Sequence, residues 1–573
     1  MSVCSQKPQS TAGQASGIIK VLGTMACSFN SSGNAAEFIS ADRYYQPRWR
    51  LKLGRTSTSP CMKPGACFVW TIEIHTVELA KYNGWSSEVR GAGRRKVARM
   101  KMDNGVWLAV VWCVMSSAVF SQEVSYFRKD NSVANGNAAL PSDWERDAKL
   151  NWRTPLPSGH STPCVCGDSI YLTTFRPEEK ELATVSIDKT TGRIKWRQIA
   201  PAKTLEAFHA TGSPATSSPA CDGIRVFSFF GSYGMLCYDL DGKLLWERRM
   251  GPFQDEFGAC SSPILIDNKV ILNEDHDVDS YLIALDPATG QSVWKVLRED
   301  ATRSYSTPVI LDRDGFKEIL VAGSLTLTAY DPSTGSKRWW YNGLSRIVDS
   351  TPVIQDGIIY MANWTPGGDP GERIAMEPFP EALEKYDKND DKMVAKEELP
   401  PGSPVIDRFF RIDLNQNENL EENEWNRHAG VFDKAKNVAI AIEPGTIGEL
   451  TSKHVKWTYT RGLPTVPSSV VHDGVLTMVK DSGIVTLLDI ATGELLHQGR
   501  AVGRGNYYSS LVAGDGKVYM ASESGVMTIF QAGKEWKILS SHDFGERMMA
   551  TPVVSDGVFY VRTEAALYSF AKQ

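Results

Sequence analysis

The feature that most restricts what this chain can fold into is a stretch that returns with variations. It is clearest at Tyr281-Leu282-Ile283-Ala284-Leu285-Asp286-Pro287-Ala288-Thr289-Gly290-Gln291-Ser292-Val293-Trp294. An alternating strand ends in Asp, a Thr-Gly turn lets the backbone take positive φ, and a second strand carries Trp294. The same grammar returns at Asp188 to Gly192 before Trp196, at Asp239 to Gly242 before Trp246, and at Asp331 to Gly335 before Trp339. A weakened copy runs from Asp489 through Thr492-Gly493 to His497.

A second marker, a small-residue step that is usually followed by proline, opens each repeat. It occurs at Ser161-Thr162-Pro163, Ser217-Ser218-Pro219, Ser261-Ser262-Pro263, Ser306-Thr307-Pro308, Ser350-Thr351-Pro352, Pro467-Ser468-Ser469, Tyr508-Ser509-Ser510 and Ala550-Thr551-Pro552. Eight openings at a period of about 45 residues, with strands and no intervening helices, predict an all-β, eight-bladed β-propeller. The tryptophan strands are displaced at the ends. Trp152 precedes the first opening, Trp457 and Trp536 serve later repeats, and the chain stops at Tyr568-Ser569-Phe570. The strand around Asn151-Trp152-Arg153 is therefore expected to complete the last blade, closing the ring and removing its open edges.

Spacing breaks once, between Pro352 and Pro467. Ile358 to Asn363 opens blade five and Val438 to Ile442 resumes it, so residues 365–437 read as an insertion between propeller segments 144–364 and 438–573. Insertions in such loops protrude from one face, where propellers carry function.

Within the insertion, Asp387 to Glu398 has the pattern of a twelve-residue calcium loop, and Asp413 to Glu424 repeats it. Hard cations want oxygen donors at alternate loop positions and a bidentate Glu at the end. The candidate ligands are Asp387, Asn389, Asp391, Met393 through its carbonyl, and Glu398; then Asp413, Asn415, Asn417, Asn419 through its carbonyl, and Glu424. Leu383, Tyr386, Val394 and Leu399 match Phe409, Ile412, Leu420 and Trp425 in position, as a small shared core would require. Over about fifty residues the segment resembles a paired EF-hand. It departs from that pattern at position six, where Lys392 and Glu418 replace the usual Gly; a non-glycine at positive φ costs about 1–2 kcal/mol, which implies modest affinity. Pro400-Pro401 and Pro404 break any helix joining the loops.

Ahead of the repeats, Arg94-Arg95-Lys96, Arg99 and Lys101 precede an apolar run from Val106 to Phe120 and small residues leading to Gln122. That order predicts a signal peptide over 100–121, started at Met100 or Met102, with residues 1–99 a non-native upstream extension or disordered. The run is short for a membrane span, so the mature form is expected to carry no transmembrane anchor and to be exported to the periplasm or beyond. Of ten cysteines, five lie beyond the expected cleavage point, namely Cys164, Cys166, Cys221, Cys237 and Cys260, and they read as buried structural residues of unassigned pairing. A net charge of −5 without a basic patch argues against a nucleic-acid partner.

The Trp-bearing blades with Asp-x-x-Thr-Gly turns, from about Trp144 to Phe570 outside the insertion, resemble the pyrroloquinoline quinone (PQQ) repeat family. That family includes quinoprotein dehydrogenases and the outer-membrane assembly lipoprotein BamB. The stretch from Ala441-Ile442-Glu443-Pro444-Gly445 through Phe544-Gly545-Glu546-Arg547 is most like PQQ-binding-like propellers exported by planctomycete-type bacteria. The resemblance implies the fold; the repeat's Asp, Gly and Trp do structural jobs and leave the cofactor open. Quinone dehydrogenases place an adjacent cysteine pair under the cofactor, whereas Val165 separates Cys164 from Cys166 here. No catalytic constellation is found, and no PQQ-binding residue is assigned. Asp543-Phe544-Gly545 lacks the companion loops of a kinase, and His160, His209 and His276 have no sequence-defined partner. The expectation is an exported, calcium-binding, non-catalytic scaffold for a protein or extracellular polymer, with a PQQ-dependent oxidoreductase as the alternative.

Overall fold

The computed structural model describes residues 124–573 apart from 135–138, 207, 256, 259 and 370–373. The expected leader at 100–121 and the extension at 1–99 lie outside the described residues. Eight sheets, each built on four antiparallel strands, make an eight-bladed β-propeller, and one of them gains a short fifth strand, Gly448–Glu449, in parallel at its edge. Blade 1 spans 164–200, blade 2 220–248, blade 3 264–297 and blade 4 309–342. Blade 5 spans 353–363 with 438–459, blade 6 470–500 and blade 7 512–543. Blade 8 joins 553–572 to Ala148–Pro155, which pairs antiparallel with the C-terminal strand from Ala148↔Lys572 to Pro155↔Ala566. The ring closes on its own N-terminal strand.

The repeat is explained by contacts between blades. In the Thr-Gly turns, the Asp carboxylate accepts backbone N–H groups two and three residues on, as Asp286 does from Ala288 and Thr289 at 2.8 and 2.9 Å, and Asp239 in its shorter turn accepts from Asp241 and Lys243. Gly then takes positive φ, and the tryptophan of the preceding blade lies flat on it. A Cβ at Gly290 would sit 2.6 Å from Trp246, and one at Gly192 would sit 2.5 Å from Trp152. Trp196 covers Gly242, Trp294 covers Gly335 and Trp457 covers Gly493 in the same way. Each indole N–H also donates into the turn that it covers, for example Trp196 to the Leu240 carbonyl at 2.8 Å and Trp457 to the Ile490 carbonyl at 2.8 Å. The apolar face is buried and the polar edge satisfied in one contact. Because Trp152 uses this contact on blade 1, the seam is built like the junctions that follow it, and fully buried Arg562 reinforces it by donating to the carbonyls of Ser161 and Thr173 at 2.9 and 2.8 Å.

Two positions depart from the expected pattern. Trp339 finds no Thr-Gly turn on blade 5; Gly448–Glu449 pairs with its strand instead, and its indole is fully buried with Nε1 donating to Glu318 at 3.1 Å. Trp536 lies in the turn before the outer strand Ile538–Asp543, stacked on His497 with ring centroids 5.2 Å apart, so the histidine holds the wedge position there.

Two elements lie outside the repeat. Helix α1 (Trp144–Asp147) drives Trp144 among Phe544, Phe559 and Phe570, just ahead of the closing strand. Between Asn363 and Val438 the chain leaves blade 5 and forms a small lobe with α2 (Phe379–Tyr386), α3 (Phe409–Ile412) and α4 (Glu422–Lys434). Asn437 clamps its neck, donating to the Thr365 carbonyl at 3.0 Å and accepting from the Thr365 N–H at 3.1 Å. The lobe has its own core around Trp425, Phe379, Tyr386, Phe409 and Ile412. Among the described residues, no helix is long and apolar enough to cross a membrane.

Candidate functional site

The innermost strands start at the ring axis, and the serine and threonine steps meet there. The Thr162 amide donates to Ser218 Oγ at 2.9 Å, Ser218 to Ser262 at 3.0 Å and Ser262 to Thr307 Oγ1 at 3.1 Å. On the other side, Thr351 donates to Ser468 at 2.9 Å, Ser468 to Ser510 at 3.1 Å and Ser510 to Thr551 at 3.0 Å. The small hydroxyl residues thus link neighbouring blades where bulk would block the axis.

The segment 124–134 plugs this axis from one side. Ser125 exchanges both backbone hydrogen bonds with Cys221, Asn131 bonds both backbone groups of Ile354, and Ala134 donates to the Ala513 carbonyl at 2.8 Å. Arg128 runs between blades 6 and 7 and donates to the carbonyls of Ser469 and Leu511 at 2.7 and 3.5 Å; burial draws its pKa down to about 9. Phe127 faces the opposite side and lines the cavity there. No periodicity marks this segment, and sequence reasoning missed it.

Beyond the hydroxyl ring lies a cavity of about 460 Å³. Its wall includes His160, His209, Phe257, Tyr305, Arg346, Asp349, Tyr508 and Met549 from loops between blades, Asp481 from a turn within blade 6, and Arg411 from α3 of the lobe. The wall is electrically uneven. Behind Phe257, Asp255 accepts a hydrogen bond from Tyr305 at 2.7 Å, and burial pushes its pKa up to about 7. Asp349 opens into the cavity and is pushed up to about 7 as well, by burial and then by repulsion from Asp255. Cys260, also on the wall, is a thiol held well above its ordinary pKa by burial and then by the same carboxyls. Across the cavity, burial, Arg562 and Arg547 press His160 down to about 3, which keeps it neutral. His209 meets Thr211 Oγ1 at 2.8 Å and packs on Phe257 with centroids 5.1 Å apart. His276 lies in the core of blade 3, stacked on Phe253 and 3.0 Å from Glu274.

In the lobe, the two candidate loops have matching backbones. Val394 pairs with Leu420 and Ala395 with Asn419, so a two-residue ladder joins them through their eighth positions. Asp387 accepts the Asp390 and Lys392 N–H groups at 2.8 and 2.9 Å, and Glu398 accepts those of Lys388 and Ala395 at 2.9 Å each. Asp413 likewise accepts Asn417 and Glu418, while Glu424 accepts Leu414 and Glu421. The sixth positions, Lys392 and Glu418, take φ of 66° and 67°. Asn389 and Asp391 each accept an N–H two residues on in the first loop, as do Asn415 and Asn417 in the second. Met393 and Asn419 directly precede and begin the ladder strands. Among the described residues, no three His, Cys, Asp or Glu side chains gather as a metal cluster. Among the candidate ligands of the second loop only Asp413 and Glu424 are carboxylates; the others offer amide and backbone oxygens, and the Glu421 carboxylate accepts from the Asn415 and Asn417 amides.

One disulfide, Cys166–Cys221, joins the inner strands of blades 1 and 2. The remaining described cysteines, Cys164, Cys237 and Cys260, are thiols.

Fold and cavity together define the class: an eight-bladed propeller of Trp-and-Gly repeats with a plugged axis and a pocket above the plug. The family model described as outer membrane protein assembly factor BamB matches residues 109–249 and 180–365. No curated protein sequence matches the chain. Similar solved structures include BamB from Moraxella catarrhalis, with 12% identity, a TM-score of 0.46, and coverage of 74% of this chain and 99% of that one. A europium-containing methanol dehydrogenase has 12% identity, a TM-score of 0.46, and coverage of 79% and 98%. Quinohemoprotein alcohol dehydrogenase from Comamonas testosteroni has 12% identity, a TM-score of 0.48, and coverage of 80% and 82%.

Proposed function

We propose that this protein is an exported binding propeller that takes a protein segment or the end of an extracellular polymer into its axial pocket. The inserted lobe is an EF-hand pair that binds calcium and stiffens one side of the pocket. The observation that carries this reading is the blind pocket itself, floored by Phe127 and roofed on one side by Arg411 of the lobe. Ring and plug give a rigid receptor, while the interblade loops supply varied polar and aromatic contacts. The match to a family model named for an assembly factor favours binding over turnover. The disulfide favours an oxidising compartment and hence export.

Calcium fits the lobe through its donor chemistry. Each loop presents carboxylate, amide and carbonyl oxygens in the order that a flexible seven-coordinate site uses, and each turns at position six with positive φ. Lys392 and Glu418 strain that turn, so the affinity suits calcium-rich extracytoplasmic fluid. Titration calorimetry on the wild type and on a Glu398→Gln, Glu424→Gln double variant tests it. Heat at millimolar calcium is expected for the wild type alone; no heat, or identical isotherms, removes the calcium assignment.

The rival reading is a quinoprotein oxidoreductase, for which Arg346, Arg411 and His209 could receive the anionic groups of PQQ. Of the described cysteines only Cys260 lines the pocket. Adding PQQ and calcium to the purified protein and assaying dye-linked alcohol or sugar oxidation separates the two, and sustained turnover would replace the binding reading.

A further inference from the structure

The two loops of the calcium reading share Asp, Asn and Glu at positions one, three and twelve and match in backbone, yet they are attached differently. Side chains of the first loop hydrogen-bond within the lobe, Asp387 and Glu398 to loop backbone and Asn389 to Asp391. The second loop is docked on the ring. Gln254, between blades 2 and 3, donates to the Leu414 carbonyl, the second residue of that loop. Arg427, three residues beyond Glu424, donates to the Glu299 carbonyl at 2.8 Å. Arg303 lies over the Phe410 ring at 6.0 Å. Arg411, two residues before Asp413, reaches the axial pocket and also lines the cleft beneath the lobe, beside Arg346 and Ile347.

We propose that the second loop is a regulatory site for the axial pocket, and that the first loop is a structural site for the lobe alone. This rests on the calcium reading given above. Ion binding draws Asp413 and Glu424 onto one centre and so fixes the loop's entry, where α3 carries Arg411, and its exit, where α4 carries Arg427. Both ends bear on the ring, so the ion's preference for one loop geometry becomes a preference for one placement of Arg411 at the pocket mouth. A ligand that fills the pocket with Arg411 in place tightens the second loop by the same factor by which the ion tightens the ligand.

Cys260 reports this directly, because its thiol lies on the pocket wall while Cys164 and Cys237 are buried. The probe is iodoacetamide at alkaline pH on the full chain, with alkylation at Cys260 followed by peptide mass spectrometry with and without calcium. Calcium is expected to slow Cys260 alkylation by roughly tenfold in the wild type. Glu398→Gln should keep that protection, Glu424→Gln should lose it, and Arg411→Ala should lose it while still binding calcium in the calorimeter. Equal protection in the Glu398→Gln and Glu424→Gln variants, or calcium binding with no change at Cys260, overturns the coupling and leaves the calcium reading standing. Absence of calcium heat in the wild type overturns both.

Discussion

The ring and the lobe inserted into it are stabilised in opposite ways. Most blades of the ring lean on the next through a repeated device, an indole on a glycine turn outside or a hydroxyl on an amide at the axis, so stability is distributed over many similar junctions. The lobe has one small core around Trp425 and a two-residue ladder. Repetition lets a structure tolerate a defect such as His497 in place of tryptophan; a single core has no such redundancy.

That contrast can be broken at the seam, where the largest effect is expected. Deleting Trp144 to Pro157 removes the closing strand and the Trp152 wedge, and should abolish the cooperative melting transition of the ring in calorimetry. A transition that survives would mean that closure is not what holds the last blade. Next in size is the disulfide: Cys166→Ser with Cys221→Ser releases a loop spanning 55 residues and should cost the ring about 4 kcal/mol, read by denaturant titration. An effect of similar size, confined to the lobe, is expected from Trp425→Ala, about 3–5 kcal/mol of local stability. Limited proteolysis should then cut within 374–437 while the ring's transition stays in place; a shift of both would show that lobe and ring melt as one unit.

The smallest effect sharpens the comparison from the pocket side. Asp349 has its pKa at about 7 in the folded chain, above the ordinary carboxylate value, so the fold favours its protonated form. Its contribution is fully present at pH below the unfolded value and is lost as pH rises to about 7. Asp349→Asn should therefore stabilise the ring at pH 8 by about 1 kcal/mol, discounted because the carboxyl opens to cavity water, and should do nothing at pH 3. A loss of stability at pH 8 would show that the ionised carboxyl is held by a partner.

What the sequence revealed, and what it hid, follows from how local each feature is. The Asp, Gly and Trp of the repeat act within one turn and its neighbour, so their spacing carries the blade count and the closure of the ring. The serine and threonine steps were equally legible, although their role in linking blades through amides emerged only with the strands side by side. The plug was illegible because Arg128 and Asn131 bond to carbonyls and amides hundreds of residues away, which no period announces. Cys166 and Cys221 were visible, but their pairing depends on two inner strands coming together. Asp255 and Asp349 sit in loops without a motif, and only the convergence of blades gives them a shared environment. In the lobe, the docking of Leu414 and Arg427 on Gln254 and Glu299 carries no signature in the sequence.

The closing strand has a mechanical consequence. Ala148 at its start lies opposite Lys572, and the Gln573 amide donates to the Asp147 carbonyl at 2.9 Å, so the two strands of the closing pair are open to tension at the same corner. A pull drawn between the segment just ahead of Ala148 and the C-terminus loads these two strands in the unzipping direction, one pair at a time, rather than in shear across the whole ladder. Trp144, packed against Phe559 and Phe570 at the mouth of that zipper, is the first contact to bear the load.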